Sequence, residues 1–413
     1  MVSGTCYMYR YVTVDNVGNT TTNTSASVAQ VSTAPSCRTI TPYWFTGLEY
    51  GMLKATSLSG NTNPGPGLFT AAPSANVTVD NSVVRTGAYS MHINDNSNQA
   101  VNAQVQIWPA AGQLVLRFGI RLVSLPSSNE DDMVEFMPST GHFLRFGYDQ
   151  GTGHFMFGYD TFTAQEATNI TVAAGTWYLI DLRADMTGAT STADWQVNGS
   201  AQAQATAGQS ATTFLNVFWG GNSKGSEQFN INFDDMMIST TAGDYPLGDG
   251  GSRALVPAGV TAINDSGGNL KNDDGTAVSG TSWQRLDENP PTSTLDYVKQ
   301  VGGDTSAYLA LGFTQTTQTG CVFGVSGLMA GRSSSNQSDS AKTALWEGGT
   351  ERVIYSGDMK GTTQKWWSTG ITPASGGWTT TKINGLTARL GYYNGVGAQP
   401  YWDALVVEYD VGP

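Results

Sequence analysis

Three acidic residues, Glu130, Asp132 and Glu135, stand close together in the segment 130–135. A pair of carboxyl groups about 5 Å apart is the arrangement by which retaining glycoside hydrolases attack and protonate a glycosidic bond. This spacing is the strongest enzymatic signal in the chain. Residues 125–129, however, are typical of a loop, so the same acids fit an acidic turn that leads into a strand over residues 133–137. The sequence favours this second, structural interpretation.

Tryptophans on which a sugar could stack lie at Trp219, Trp366 and Trp367. Trp219 ends a predicted strand, and Gly220 and Gly221 follow it, which would let a ligand approach the backbone closely. Trp366 and Trp367 are adjacent, so in a strand their side chains face opposite ways and one of them is expected to be exposed. Although most tryptophans of β-sandwiches are buried, we predict glycan binding at these three positions.

Two neighbouring aspartates, Asp234 and Asp235, lie in the segment 233–239, which alternates like a strand. Carboxylate oxygens are preferred ligands of Ca²⁺, so the two residues are candidate calcium ligands. The alternative is a charged strand that protects the edge of a sheet from pairing with another chain. The sequence favours this alternative, and calcium is the only cofactor that it suggests.

The chain has three cysteines, Cys6, Cys37 and Cys321, which cannot all pair with one another. Cys6 and Cys37 would close a loop of about 30 residues, worth about 3 kcal/mol in an oxidising environment. We predict this disulfide, and two free thiols are the open alternative. Cys321 lies on a predicted apolar strand, where it is expected to be a small buried side chain. No spacing of cysteines and histidines is typical of a zinc site.

The composition is that of a globular, acidic chain of 413 residues. Its 50 glycines and its low content of charged residues, 13%, favour short strands and tight turns over helices. A formal net charge of −13 with only 20 basic residues leaves no positive footprint for nucleic acid or anionic lipid. No segment is long and apolar enough to cross a membrane as a helix, and residues 1–5 lack the pattern of a signal peptide. We predict neither a nucleic-acid partner nor membrane insertion.

Short alternating segments bounded by Gly, Asn, Asp and Pro predict an all-β fold. We expect two antiparallel β-sandwich or jelly-roll domains in series, covering residues 38–249 and 252–413. The second domain is predicted to contain one short helix, at residues 379–386. Each domain closes with a strand of similar pattern, at residues 233–239 and 401–407.

Residues 1–33 are predicted to form an N-terminal β-hairpin. An isolated hairpin is marginally stable in water, so it must pack on another element or on another chain. We expect it to donate a strand to a neighbouring subunit, which would give a multimer or a filament.

The first domain resembles the concanavalin A-like lectin/glucanase jelly roll, in its laminin-G-like branch. The resemblance rests on the order of four segments along the chain: 44–51 (WFTGLEYG), 176–183 (TWYLIDLR), 193–199 (ADWQVNG) and 233–238 (FDDMMI). The spacing of Glu130, Asp132 and Glu135 is similar to that of laminarinase-type glycosidases in the same superfamily. This likeness implies that Glu130 would be the nucleophile, that Glu135 would be the general acid/base, and that Asp132 would tune the pair.

The second domain looks like a module of phage-type virion proteins that often follows a laminin-G-like jelly roll. The segments that carry this resemblance are 287–290 (DENP), 296–298 (DYV), 348–350 (GGT) and 378–386 (WTTTKINGL). At the N-terminus, residues 4–19 resemble the last two strands of bacterial immunoglobulin-like repeats from large surface proteins. Together these resemblances imply an extracellular, cell-surface or virion location.

These observations predict a non-enzymatic extracellular or virion-associated protein with a structural or adhesive role. It would bind a glycan and associate with copies of itself through the N-terminal hairpin. The alternative prediction is a retaining glycoside hydrolase that acts on β-glucans through Glu130 and Glu135.

Overall fold

The structure, a computed structural model, is all-β and divides into two compact units, residues 1–39 and 40–413. It describes the following ranges: 39–40, 42–56, 64–95, 100–129, 132–140, 143–159, 165–206, 212–221, 228–289, 296–318, 320–336, 340–373, 375–394 and 398–412. For a few further residues it describes the backbone alone: 6–7, 10–14, 20–24, 29–30, 130–131 and 207–208.

The described part of the first unit consists of four short strands: β1 (Cys6–Tyr7), β2 (Arg10–Val14), β3 (Thr20–Thr24) and β4 (Ala29–Gln30). Strands β2 and β3 pair antiparallel, with Val12 opposite Thr22, and β1 pairs antiparallel with β4. The predicted N-terminal hairpin is confirmed.

Fifteen strands build a first sandwich: β5 (Trp44–Thr46), β6 (Val77–Asp80), β7 (Ser90–Asp95), β8 (Val101–Ala111), β9 (Gln113–Ser124), β10 (Glu130–Pro138), β11 (Leu144–Asp149), β12 (His154–Tyr159), β13 (Gln165–Glu166), β14 (Trp177–Asp185), β15 (Thr190–Val197), β16 (Ser200–Ala201), β17 (Ala205–Gly208), β18 (Phe214–Gly221) and β19 (Phe229–Ser239). Sheet 1 has the strand order β13-β12-β11-β10-β18-β8. Sheet 2 has the order β16-β15-β14-β9-β19-β7-β6, with β17 paired to β15 and β5 paired to β19.

The core between sheets 1 and 2 is rich in aromatic side chains because alternate residues of both sheets point into it. Trp219 of β18 lies at its centre, with its ring centroid 5.4 Å from that of Phe118 and 5.7 Å from that of Phe233. Trp44 stacks on the same indole at 6.1 Å. These rings are fully buried, and the predicted sandwich pattern of alternating strands is confirmed.

A second sandwich follows: β20 (Gly251–Leu255), β21 (Pro257–Asn264), β22 (Leu270–Asn272), β23 (Val298–Gln300), β24 (Asp304–Phe313), β25 (Cys321–Ser333), β26 (Ala341–Glu347), β27 (Thr350–Gly357), β28 (Lys365–Ile371), α1 (Thr380–Asn384), β29 (Thr387–Tyr393) and β30 (Pro400–Gly412). Sheet 3 has the order β22-β23-β30-β25-β28, with β20 paired to β30, and sheet 4 has the order β21-β24-β29-β26-β27.

Helix α1 begins after Thr379, whose hydroxyl accepts a hydrogen bond from the Lys382 N–H at 3.2 Å. The predicted short helix is confirmed. No helix within the described ranges is long and apolar enough to cross a membrane.

Sheet 3 is buried on both faces. Along β30, Ala404 and Val406 pack with the core of the first sandwich, whereas Leu405 and Val407 pack in the core of the second. The alternation of a strand therefore sends neighbouring residues into two different cores. Both sandwiches lie within the unit 40–413.

A buried ion pair joins the sandwiches. Arg117 of β9 points out of sheet 2, and its guanidinium donates hydrogen bonds to both carboxylate oxygens of Asp410 in β30, one of them at 3.2 Å. Both side chains are fully buried. The Arg117 Nε–H also donates to the carbonyl of Asp235 at 3.2 Å. The bidentate geometry satisfies a charge that would otherwise be costly to bury.

Two buried glutamates lie at the same interface. The Glu49 carboxyl accepts a hydrogen bond from the Ala88 N–H at 3.0 Å. The Glu408 carboxyl accepts from the Gly47 N–H at 2.8 Å and from the Thr46 hydroxyl at 3.1 Å. Burial raises the pKa of Glu49 to about 9, and repulsion from Glu408 adds to the effect. Burial likewise raises the pKa of Glu408 to about 8. Both carboxyls are therefore protonated at neutral pH.

Candidate functional site

The outer face of sheet 2 carries a set of polar and aromatic side chains on β14. Trp177, Leu179 and Asp181 point outward because the residues between them pack in the core. Those core residues are Tyr178, Ile180 and Leu182. Trp177 remains partly exposed, so one aromatic surface is available at this face.

The neighbouring strand β15 adds two amides. Gln196 lies opposite Asp181 in the antiparallel register. Asn198 and Gly199 then form the two-residue turn to β16, with φ values of +50° and +78°. Positive φ at both positions is typical of the hairpin turn that Asn-Gly favours. The turn holds the Asn198 side chain at the end of the strand, beside Leu179.

A segment that follows β19 closes the site. Pro246, Gly248 and Asp249 face the two strands, and Arg85 approaches from the loop before β7. Together they line a half-open cavity of about 470 Å³, within the range of about 300–1,000 Å³ that small-molecule sites occupy. The cavity, called the Trp177 pocket below, is lined by Arg85, Trp177, Leu179, Asp181, Gln196, Asn198, Gly199, Pro246, Gly248 and Asp249.

Hydrogen bonds hold the floor of the Trp177 pocket in place. The Asp181 carboxylate is buried and accepts hydrogen bonds from the Leu247 N–H at 3.0 Å and the Gly248 N–H at 3.1 Å. The Asn198 side-chain oxygen accepts from the Leu179 N–H at 2.8 Å. The pocket is thus preformed by backbone contacts of its own polar residues.

Arg85 at the rim is fixed by three acceptors. Its guanidinium donates to Asp235 at 2.6 Å, to the Gly250 carbonyl at 2.8 Å, and to Asp249. In contrast, the side chains of Trp177 and Gln196 make no hydrogen bond within the described part of the chain. An indole N–H and a whole amide are therefore free to bind a ligand.

The arrangement suits a saccharide. A pyranose ring has an apolar face that packs on an aromatic ring and a rim of hydroxyls that bond planar amides and carboxylates. The pocket offers the indole of Trp177, the amides of Gln196 and Asn198, and the carboxylate of Asp249, which is well exposed.

The three tryptophans that the sequence suggested as sugar platforms are buried. Trp219 is fully buried in the first core, so its ring has no free face. Trp366 and Trp367 do face opposite ways, but each is only 4% exposed. Trp366 packs with the first core and Trp367 with the second, because sheet 3 is covered on both sides. The prediction of an exposed ring at these positions is wrong.

The acidic segment lies on β10, in the middle of sheet 1. The pairing of β10 with β11 shifts between Glu130 and Val134, which marks a bulge. Asp132 and Glu135 are buried, 2% and 1% exposed, and Glu135 lies 3.4 Å from the Nε of Arg145. The side chain of Glu130 lies outside the described residues. The predicted strand after the acids is confirmed, and it begins at Glu130 itself.

Asp234 and Asp235 act as acceptors of protein hydrogen bonds. Asp234 accepts from the N–H groups of Arg85 and Thr86 at 2.8 and 3.1 Å, and from that of Asp235 at 2.7 Å. Asp235, at φ +52°, accepts from the Ser252 N–H at 2.9 Å and from Arg85. Because N–H donors occupy these oxygens, the aspartates connect β19 to the loop between β6 and β7 and to β20. No cluster of three or more metal-type side chains occurs among the described residues.

Cys321 is buried, as predicted, but it is also disulfide-bonded. The predicted bond between Cys6 and Cys37 falls on side chains that lie outside the described residues. The sequence pattern around Cys321 indicated a buried strand correctly and carried no sign of the partner.

The sequence analysis did not predict the Trp177 pocket, although the strand pattern indicates which residues of β14 and β15 face outward. The alternation of segment 176–183 already places Trp177 and Asp181 on one face of a strand. The alternation of segment 193–199 places Gln196 and Asn198 outward in the same way. The contribution of Arg85 and of residues 246–249 depends on tertiary contacts and has no local signal.

Comparisons with known proteins assign no family. No protein-family model matches the chain, and no curated protein matches it. Among solved structures, Trypanosoma rangeli sialidase in complex with sialic acid is 12% identical, over 48% of this chain and 35% of that chain, with a TM-score of 0.31. A heptameric SAP-like pentraxin from Limulus polyphemus is 13% identical, over 37% of this chain and 76% of that chain, with a TM-score of 0.28. The chain spans between 17% and 35% of the length of the sialidases it matches. Likenesses this weak carry no functional argument.

Proposed function

We propose that the protein is a non-enzymatic carbohydrate-binding protein that holds a neutral saccharide in the Trp177 pocket. The observation that carries the proposal is the half-buried indole of Trp177 in a preformed cavity of about 470 Å³. Beside it lies the amide of Gln196, which makes no hydrogen bond within the described part of the chain. A single ring face with adjacent planar polar groups is complementary to a pyranose.

The charges of the pocket favour a neutral ligand. Arg85 is shared between Asp235 and Asp249, so its charge is compensated. The Asp181 carboxylate is satisfied by two backbone N–H groups. An ionic ligand would have to compete with these partners, whereas hydroxyl groups bond the free amide and indole without disturbing them.

The wider role that we propose is structural or adhesive, at a cell surface, in the extracellular space or on a virion. This part rests on the resemblance of the two sandwiches to a laminin-G-like jelly roll and a phage-type module, and of the N-terminal segment to an immunoglobulin-like repeat. The burial of Asp132 and Glu135 supports a non-enzymatic role, since substrate has no open access to either carboxyl.

Replacing Trp177 by alanine is expected to weaken saccharide binding about tenfold or more, because the stacking face is lost. A glycan array of neutral saccharides identifies the ligand, and titration calorimetry then compares the variant with the wild-type protein. Trp108→Ala is the matched control, since Trp108 is 45% exposed and lies outside the pocket. A blank array, or equal affinity in Trp177→Ala, contradicts the proposal.

An activity assay distinguishes between binding and hydrolysis. Incubation of the wild-type protein with β-glucans is expected to release no reducing ends. Turnover that disappears in Glu135→Gln would instead establish the glycoside hydrolase alternative, with Glu130 and Glu135 as its carboxyl pair.

We also propose self-association through the N-terminal hairpin. Strands β2 and β3 form a two-stranded sheet, so within the described residues each strand has an unpaired edge. Sedimentation velocity of the full chain is expected to show a species of at least twice the monomer mass. Val12→Pro, which removes a backbone donor from β2, is expected to shift the protein to monomer. A wild-type protein that stays monomeric at about 100 µM, far above the concentration that a specific contact needs, refutes the idea.

A further inference from the structure

The outer face of sheet 4 carries a second group of aromatic and basic side chains, far along the chain from the Trp177 pocket. Alternation in β24, β26 and β29 sends the apolar residues into the second core. These core residues are Leu309, Leu311, Leu345, Ala388 and Leu390. The intervening positions leave Tyr308, Lys342, Trp346 and Arg389 on the outer face, each of them partly exposed.

Rings and cations interleave on this face. The guanidinium carbon of Arg389 lies 3.9 Å from the ring centroid of Trp346 and 4.6 Å from that of Tyr308. Tyr308 stacks on Tyr392 at 5.6 Å with an interplanar angle of 23°. The ammonium of Lys342 lies 4.9 Å from the Tyr392 ring. These five residues are called the cation–aromatic ladder below.

One residue of the ladder, Tyr392, has an unusual backbone conformation. Tyr392 has a φ of +56°, which is uncommon for a bulky residue, and it follows Gly391 in β29. This conformation keeps Tyr392 on the same face as its stacking partner Tyr308. A conformation of this kind costs free energy and is found preferentially at functional sites.

Arg389 is the one cation of the ladder that has no acidic partner among the residues that the structure describes. Lys342 pairs with Glu351. Arg389 makes neither an ion pair nor a hydrogen bond with any residue that the structure describes. Its guanidinium packs against the rings of Trp346 and Tyr308, which restrict the orientation of its terminal N–H donors before a ligand arrives. A carboxylate is the group that such a fork binds in bidentate geometry.

The floor of the ladder is flat. In the register of the sheet, Arg389 lies opposite Ala310 on one side and Ala344 on the other. Both alanines are buried, so the ladder side chains lie over them and form the outer surface of the sheet at this point. A ligand that fits this surface is extended and presents both flat apolar faces and a carboxylate.

We propose that the cation–aromatic ladder is a binding site for an acidic saccharide chain, such as one built of uronic acids. Pyranose rings would pack on Trp346 and on the Tyr308–Tyr392 pair, and a uronate carboxylate would bind Arg389. A dense polyanion such as nucleic acid fits less well, because its many phosphates need several cations. The ladder offers one uncompensated cation, in a protein of net charge −13. This inference does not rest on the Trp177 pocket, which lies in the other sandwich.

Oligogalacturonate and its methyl ester test the proposal, with binding to the full chain measured by titration calorimetry. The acid is expected to bind. The ester, which lacks the carboxylate charge, is expected to bind with an affinity at least about tenfold lower. Raising the salt concentration is expected to weaken binding of the acid only. Equal affinity for acid and ester, or no binding of either, overturns the proposal.

Variants locate the site. Arg389→Gln is expected to lower affinity for oligogalacturonate about tenfold or more, and Arg389→Lys, which keeps the charge and loses the fork, to lower it less. Trp346→Ala is a second variant that removes a ring without changing charge. Lys360→Gln, at an exposed lysine of the same sandwich, and Trp177→Ala are expected to leave this affinity unchanged. Full affinity in Arg389→Gln, or tighter binding of a single-stranded oligonucleotide than of oligogalacturonate, refutes the assignment.

Discussion

Arg117→Met is expected to lower the free energy of unfolding by about 3–5 kcal/mol, because it leaves the fully buried carboxylate of Asp410 without its partner. The Ser252 hydroxyl, 3.3 Å from Asp410, is the main polar contact that remains. A neutral hydroxyl does not replace a bidentate guanidinium. Urea unfolding at pH 7 measures the effect as a lower midpoint with an unchanged slope.

Two further variants make the result specific. Arg121→Met removes an arginine from the same face of β9, where its guanidinium bonds the Gly175 carbonyl in an exposed setting, and is expected to cost less than about 1 kcal/mol. The double variant Arg117→Met/Asp410→Leu removes both charges and is expected to recover most of the loss. A double variant as unstable as Arg117→Met would show that packing, and not the unpaired charge, decides the outcome.

Stability is expected to fall as pH rises from about 5 to 9, because two buried glutamates are protonated in the folded state at neutral pH. The pKa of Glu49 is raised to about 9 and that of Glu408 to about 8, from an ordinary value of 4.5. Between the ordinary and the raised value, the folded state holds a proton that the unfolded state has released. Each such carboxyl lowers the free energy of unfolding by about 1.4 kcal/mol per pH unit in that window. Below pH 4.5 the contribution is fully present, and it is lost as pH passes through the folded-state pKa values.

Thermal or urea midpoints measured from pH 5 to pH 9 test this dependence. Glu49→Gln and Glu408→Gln keep a neutral polar side chain at each position, so each is expected to flatten the profile and to stabilise the protein at pH 9. Glu351→Gln, at a partly exposed acid of β27, is expected to leave the slope unchanged. A wild-type midpoint that is constant or rises across this range contradicts the burial of protonated glutamates.

Much of the fold follows from local pattern. The period of two in segments such as 176–183 and 193–199 indicates strands with one buried face, and the burial along β14 and β15 follows that period. The N-terminal hairpin and the short helix after Thr379 were likewise predictable, because turn residues and a capping threonine mark their ends.

Local pattern does not show whether solvent or another sandwich covers the outward face of a strand. Trp366 and Trp367 alternate as predicted, yet both are buried, since the first sandwich covers the face that carries Trp366 and the core of the second sandwich covers Trp367. Arg117 reads as an ordinary outward arginine of a strand and is fully buried for the same reason. The closure of the Trp177 pocket by residues 246–249 also depends on contacts between distant segments.

The ion pair between Arg117 and Asp410 has a consequence for the time course of synthesis. Its two residues are 293 positions apart, which at about 5–20 residues per second corresponds to roughly 15–60 s on the ribosome. During that interval the first sandwich has emerged, but β30, with Asp410 and Glu408, has not been made. We therefore expect nascent chains halted before residue 400 to expose the outer face of sheet 2 to protease and chaperone. The sandwich that is translated first would then be among the last parts of the molecule to become stable.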